Sequence, residues 1–576
     1  MRWTIAMTRF GRLWLSSMAL MASASLADNP IIQTKFTADP APMVFDGGVY
    51  LYTSHDEDDA TGFTMYDWLL YTSTDMVNWT DHGVIGGVRA PTKTFAWGDG
   101  YNAWAPQCVF RDGKFYLYCP LPSGGGHMGI GVAVSDSPLG PFKDAIGSPL
   151  INNPGSTDDI DPTVFIDDGG QAYLYWGHQR LFYVRLNQDM ISYSGSIVEL
   201  PRPNLYEEGP WFYRRNGHYY LAFASTCCSE GIGYAMSDSP TGPWTSKGHV
   251  MKPNAASSGN HPGIIDFQGS SYVFGFNYAL NLAETTVHRE RRSINVSKMT
   301  YNDDGTIVET PWWVSDGVAQ LGKLNPYVRT EAETIAWSKG LKTESCSEGG
   351  MDVTKIGNGD FIKVKGVDFG PGAVSFAARV ASAGSGGSIE IRLDSQTGTL
   401  VGTCAVQSTG AAQTWTTKTC AISGASGVHD LFFVFTGNGE SLFSFNWWKF
   451  DPLVSVIDAG VVPDGGEEID SGSGGDAGVS PGAGGGSAAG GAGGAGGTGG
   501  AGGGGGAGGA GGVGGVGGGG GRDGSAGVVG TLGCSSSSGG GLWLGGLLAF
   551  LGGRSSARRT RRLLAESPAG LPKENV

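Results

Sequence analysis

Asp39, Asp161 and Glu208 all stand at the head of an apolar run, where a carboxylate is costly unless it is used or compensated. Asp39 and Asp161 directly precede prolines, in ADPAP and DIDPTVF. Glu208 is followed by Gly-Pro, in EEGPW, and His261 precedes the proline of GNHPGI. Two carboxyl groups facing each other across a pocket can split a glycosidic bond: one, held protonated, donates to the leaving oxygen while the other activates water. A third acid beside them raises the donor's pKa by like-charge repulsion and orients it. Asp-Pro is also an ordinary strand-entry dipeptide, so the chemistry depends on whether the chain brings the three acids together.

The elements that must do so repeat. An X-Pro dipeptide, an apolar run, a glycine-containing turn and a run rich in Tyr and Phe recur around Pro40, Pro106, Pro162, Pro210 and Pro262. The spacings are 66, 56, 48 and 52 residues. Such copies, with further strand signals between them and little helical periodicity, predict a five-bladed β-propeller over residues 29–323. The first strand of each blade lines the central channel, so the entrance residues Asp39, Ala105, Asp161, Gly209 and His261 converge on one end of it, with Glu208 beside Gly209.

With these three acidic motifs, residues 29–323 resemble glycoside hydrolase family 43, whose members are five-bladed propellers that hydrolyse with inversion. The resemblance implies Asp39 as general base, Asp161 as the residue that tunes the acid, and Glu208 as general acid. Glu207 is adjacent; successive strand residues point to opposite sides, and the Gly-Pro register favours Glu208. The stretches NPIIQTKFTADPAPMVFDGGVYLYTSHDED and NAWAPQCVF are most similar to the arabinofuranohydrolases and related xylosidases of that family. This implies removal of α-L-arabinofuranosyl side chains from arabinoxylan. β-Xylosidase and endo-arabinanase or xylanase activities stay open, because arabinofuranose and xylopyranose present similar hydroxyls. A non-catalytic propeller lectin is the reading from another class, although a lectin has no need of both a base and a protonated donor. The same resemblance implies that Trp104 stacks on sugar, that Arg292 and Asn277 contact substrate, and that His261 is associated with a hydrated Ca2+ at the propeller centre.

Residues 325–453 form a second strand-rich block, similar to a family 6 carbohydrate-binding module, a β-sandwich. Glu331 and Glu333 of EAE, with Asp451, then imply a structural Ca2+ site, reasonable for a hard cation that prefers oxygen. Phe361, Trp415 and Asn446 match the aromatic and Asn positions of that family's ligand cleft. The implied partner is plant cell-wall polysaccharide, arabinoxylan or xylan, bound by a monomer.

The rest of the chain concerns location. Arg2, Arg9 and Arg12 precede an apolar stretch and the small-residue run ASASLA, a signal-peptide pattern over residues 1–27 with cleavage after Ala27. Export permits disulfides; of eight cysteines, Cys404 and Cys420 flank a predicted hairpin and are candidates to pair, whereas the adjacent Cys227 and Cys228 would bond to each other only with strain. Residues 458–530 hold most of the excess among 100 glycines and cannot bury enough apolar area to order, so a disordered linker is expected. Residues 532–562 place Cys534 before a short apolar segment and an arginine cluster, which resembles the C-terminal sorting tag of myxobacterial surface proteins and implies retention at the cell surface. A formal charge of −15 argues against nucleic acid as a partner.

Overall fold

The computed structural model describes residues 28–453, apart from 99, 125–126, 154–158, 228, 256, 258–259 and 286–288. The expected leader, linker and C-terminal tag lie outside the described residues. What is described is almost wholly strand, with one six-residue helix at Ala279–Glu284 among the described residues.

The first part of the chain folds as five antiparallel sheets, each started by one copy of the repeat. Their first strands are Phe36–Phe45, Gln107–Arg111, Thr163–Ile166, Tyr206–Arg215 and Gly263–Phe267. Each first strand touches the next in sequence order, and the fifth touches the first, so the sheets close into a ring. The turns are those the motifs dictate: Asp46-Gly47 and Asn216-Gly217 hold positive φ at hairpin tips, where such residues cost least. Proline has no N–H to give a ladder, and the ring handles this in two ways. In three sheets the strand begins just after X-Pro. In the first and fourth the strand starts earlier, and the pairing register shifts across Asp39-Pro40 and across Gly209-Pro210. These bulges re-aim side chains at the end of the ring where the prolines meet.

Residues 330–452 form the expected β-sandwich, two sheets packed over Phe376, Phe433, Phe445, Trp448 and Phe450. The two bodies are stitched together. Thr334–Ile335 adds a fifth strand to the first sheet of the ring, against Thr80 and Trp79. Beside it the buried Asp81 accepts from Lys35 and Thr343, both at 2.6 Å. Asn78 exchanges two hydrogen bonds with the backbone of Lys365.

Cys404 and Cys420 stand as free thiols that interact with each other, on strands Leu400–Val406 and Thr416–Ala421. Those strands are the outer edges of the two opposed sheets. A disulfide there would tie the sandwich shut at its open side. Oxidation should remove two hydrogens from the mass, and Cys404→Ser should cost about 3 kcal/mol in the oxidised protein, the value for a loop of this size. Alkylation of both thiols in unreduced, denatured protein would contradict the pairing. Cys227 is disulfide-bonded, with its partner outside the described residues.

Candidate active site

The five X-Pro dipeptides line one cavity at the end of the ring: Pro40, Pro106, Pro162, Pro210 and Pro262, with Asp39, Asp161 and His261 among the residues that precede them. Asp39 and Asp161 hold left-handed backbone angles, φ 52° and 58°, and Gly209 matches them at 60°. For a non-glycine residue before proline this is an unfavoured conformation, costing on the order of 1–3 kcal/mol, and such strain gathers where side-chain aim matters. Gly209 is required twice over. Besides its φ, a Cβ there would lie 2.6 Å from Cγ of His261.

His261 is the hub. Its Nδ1 lies 3.4 Å from Oδ1 of Asp39, and its Nε2 lies 3.5 Å from Oε1 of Glu208 and 3.7 Å from Oδ2 of Asp161. Burial alone would lower its pKa, but Asp161, Asp39 and Glu208 outweigh burial and raise it to about 10. Burial pushes Asp161 up to about 7, with Glu208 and Asp39 adding to the shift and His261 opposing it. Burial would raise Glu208 as well, but its hydrogen bond and charge contact with His261 win, and it is lowered. These groups titrate as one unit.

Asp39 is held from two further sides. Ser54 Oγ donates to its Oδ2 at 2.6 Å and Arg292 Nη1 to its Oδ1 at 3.0 Å. Arg292 is itself fixed by the buried Asp56, to which it donates from Nε, Nη2 and its backbone N–H at 2.9, 2.8 and 2.8 Å. Its guanidinium lies 5.2 and 4.9 Å from the ring centroids of Phe63 and Phe276. Asp161 accepts the Gly209 N–H at 3.1 Å. Glu207 is turned the other way, accepting from Gln179 at 2.8 Å with His178 3.5 Å away, so Glu208 alone of the two meets His261.

Arg292 is committed to Asp39 and Asp56, rather than standing beside Glu208 as a residue at the acid would. Trp104 is half-buried beside the cavity-lining Ala105; its carbonyl accepts from Trp68 and its own indole N–H is buried without a partner. Asn277 is committed elsewhere, its Oδ1 accepting the Ala279 N–H at the helix start and its Nδ2 donating to Asn295. Sequence reasoning missed Ser54 and Asp56. Both lie on the strand Gly48–Asp56 and, two residues apart, share a face, which was the available signal.

Asp161, Glu208 and His261 form one of two groups of described residues whose ligand atoms all lie within 4.8 Å of one another; the other is His55, Glu57 and Asp67. The carboxylate oxygens of Asp161 and Glu208 fit a hard cation such as calcium, which would supply positive charge to the acid cluster. In the sandwich the expected cation site is corrected. Glu331 pairs opposite Trp447 and takes Arg329, while Asp451 lies four residues further along that strand, about 13 Å, and accepts from Ser375. Glu333 is buried, one carboxylate oxygen lacks a partner, and burial holds its pKa well above the usual range. The three acids do not form one coordination shell. The expected ligand cleft is also only partly assembled. Trp415 Nε1 donates to Ser347 at 3.0 Å and Asn446 Nδ2 to Glu348 at 3.3 Å, so both meet one turn. Phe361 lies on the opposite sheet, buried against Phe432, because its strand turns that side chain away from the sandwich core.

A ring of sheets that gathers the buried Asp39 and Asp161 and the part-buried Glu208 at one channel end has the carboxylates that glycoside hydrolysis needs. Residues 27–307 match the model for glycosyl hydrolases family 43, and residues 331–452 match carbohydrate binding module family 6. The chain belongs to glycosyl hydrolase family 43. It is 38% identical to an arabinoxylan arabinofuranohydrolase of Bacillus subtilis (strain 168), over 73% of this chain and 92% of that protein. It is 37% identical to one of Paenibacillus polymyxa, over 74% of each. A crystal structure of a Bacillus subtilis family 43 arabinoxylan arabinofuranohydrolase, in complex with cellotetraose, matches with a TM-score of 0.66 at 36% identity, over 75% of this chain and all of that one.

Proposed function

We propose that this chain is a five-bladed propeller enzyme that removes α-L-arabinofuranosyl side chains from arabinoxylan with inversion of configuration. Asp39 is the general base, Glu208 the general acid, and Asp161 the residue that tunes the acid. The observation that carries the reading is the convergence of all three on His261. Asp39 and Glu208 approach opposite nitrogens of that ring, at 3.4 and 3.5 Å. Placement on opposite sides of an imidazole ring favours the wider separation of inverting carboxyl groups, about 6.5–9.5 Å, over about 5–5.5 Å for retaining ones.

In this reading Arg292 orients the base, and Trp104 offers an apolar face to the sugar at the cavity rim. Calcium, where bound, is hydrated and associated with His261 at the propeller centre. The sandwich holds xylan through the surface around Trp415 and Asn446. The enzyme acts as a monomer, exported by residues 1–27 and retained at the cell surface by residues 532–562. The names of the two relatives support the substrate class.

Parallel digestion of arabinoxylan, linear xylan, arabinan and an aryl-xyloside tests the reading. Arabinose should appear first and fastest from arabinoxylan, with the xylan backbone left intact. Xylose as the main product, or shortened arabinan chains, would replace it with a xylosidase or an endo-acting enzyme.

A further inference from the structure

His261 touches all three acids, so its own placement controls them, and one buried carboxylate outside that contact group is tied to the loop that carries it. Glu230, directly before strand Gly231–Ser237, is 2% exposed. Its carboxylate Oε2 accepts the backbone N–H of Asn260, the residue before His261, at 2.9 Å. Its backbone N–H donates to Ser257 O at 3.3 Å and its carbonyl accepts from Asn254 N–H at 3.2 Å. Three bonds from one residue therefore fasten Asn254, Ser257 and Asn260. From the far side, Asn260 Oδ1 accepts the Phe276 N–H at 3.0 Å, which links that segment to the fifth sheet of the ring.

Glu230 is a buried acceptor outside the strand ladders, and its bonds converge on the residues that lead into His261. We propose that Glu230 is a positioning residue for the reaction: by holding the peptide of Asn260 it fixes the His261 ring, and through that ring it sets the orientation of Glu208 as proton donor. This rests on Glu208 being the acid. A donor held out of line slows a reaction only as far as the leaving group needs its proton. The effect must therefore depend on the leaving group, whereas a purely structural staple would slow every substrate alike.

The test compares wild type, E230A, E230D, E230Q and E208Q on an arabinoxylan oligosaccharide, whose leaving group is a poor sugar alkoxide, and on 4-nitrophenyl α-L-arabinofuranoside, whose leaving group departs without help. E230A should lose about 100-fold in kcat on the oligosaccharide and under about 10-fold on the nitrophenyl glycoside, with KM little changed. E230D retains the charge but draws the acceptor back by one methylene, and should show the same split in weaker form. E230Q keeps an acceptor at the right reach and should recover most of the rate on both. E230D also carries the test should E230A not fold. Equal losses on the two substrates in E230A and E230D, or wild-type rates in both, would overturn the proposal. So would an inactive E230Q beside an active E230D, which would assign the effect to charge rather than to the bond. E208Q separates the two layers of the argument. If E208Q itself shows no leaving-group dependence, the acid assignment fails; if E208Q shows it and E230A does not, the acid stands and the role of Glu230 fails.

Discussion

Glu208→Gln and Asp39→Asn should each lower kcat on arabinoxylan by about a hundred- to ten-thousand-fold, the usual contribution of a positioned acid or base. Each substitution keeps the shape of the side chain, so circular dichroism should show the fold retained. Asp161→Asn should fall in the same range, because it removes one of the charges that set the protonation of the cluster. Glu207→Gln is the internal control. Its carboxylate faces His178 and Gln179 rather than His261, and its loss should leave turnover near normal. An active E208Q beside an inactive E207Q would reverse the acid assignment. Full activity in all of D39N, D161N and E208Q would remove the site altogether.

The second large effect lies behind Asp39. Arg292 and Asp56 form a buried bidentate pair, and Arg292 also reaches Asp39. Removing one partner strands a buried charge, so Arg292→Met or Asp56→Leu should each cost about 3–5 kcal/mol in chemical denaturation. Replacing both by apolar residues of similar volume should recover much of that stability, because a buried pair is worth little against good packing. Activity should not return with it. In the double variant Asp39 keeps Ser54 and His261 but has lost the cation that aims it. Arg292→Lys should fail as well, since an ammonium cannot serve Asp56 bidentately and Asp39 at once. Stability and activity recovering together in the double variant would show that Arg292 is a packing residue only.

The ring and its acids were legible in the chain because both are written as local, repeated chemistry. X-Pro followed by an apolar run marks the same place in each sheet, and the residue before proline then names what faces the channel. Glu208 could be told from Glu207 because neighbouring strand residues face opposite ways. What was not legible depends on register and on loops. Ser54 and Asp56 carry no motif; they matter because their strand pairs with the one bearing Asp39 and because Arg292 comes in from the fifth sheet. Asn277 looked available for substrate, but the turn into the short helix takes its carbonyl. Glu331 and Asp451 looked like one cation site until strand pairing set them about 13 Å apart. Phe361 was read as a cleft aromatic, and only the assignment of its strand to the opposite sheet separates it from Trp415 and Asn446. Glu230 has no repeat partner at all, so only the folded loop reveals what it holds.

The account stands or falls on two carboxylates working from opposite sides of the sugar, with Asp39 delivering water rather than attacking the sugar itself. Early-time proton NMR during hydrolysis of an α-L-arabinofuranoside reads this directly, before mutarotation mixes the anomers. The β-anomer of free arabinose should appear first, with the α-anomer growing in only afterwards. Release of the α-anomer first, or a glycosyl group trapped on Asp39, would mean a covalent intermediate and would contradict the assignment of Asp39 as base.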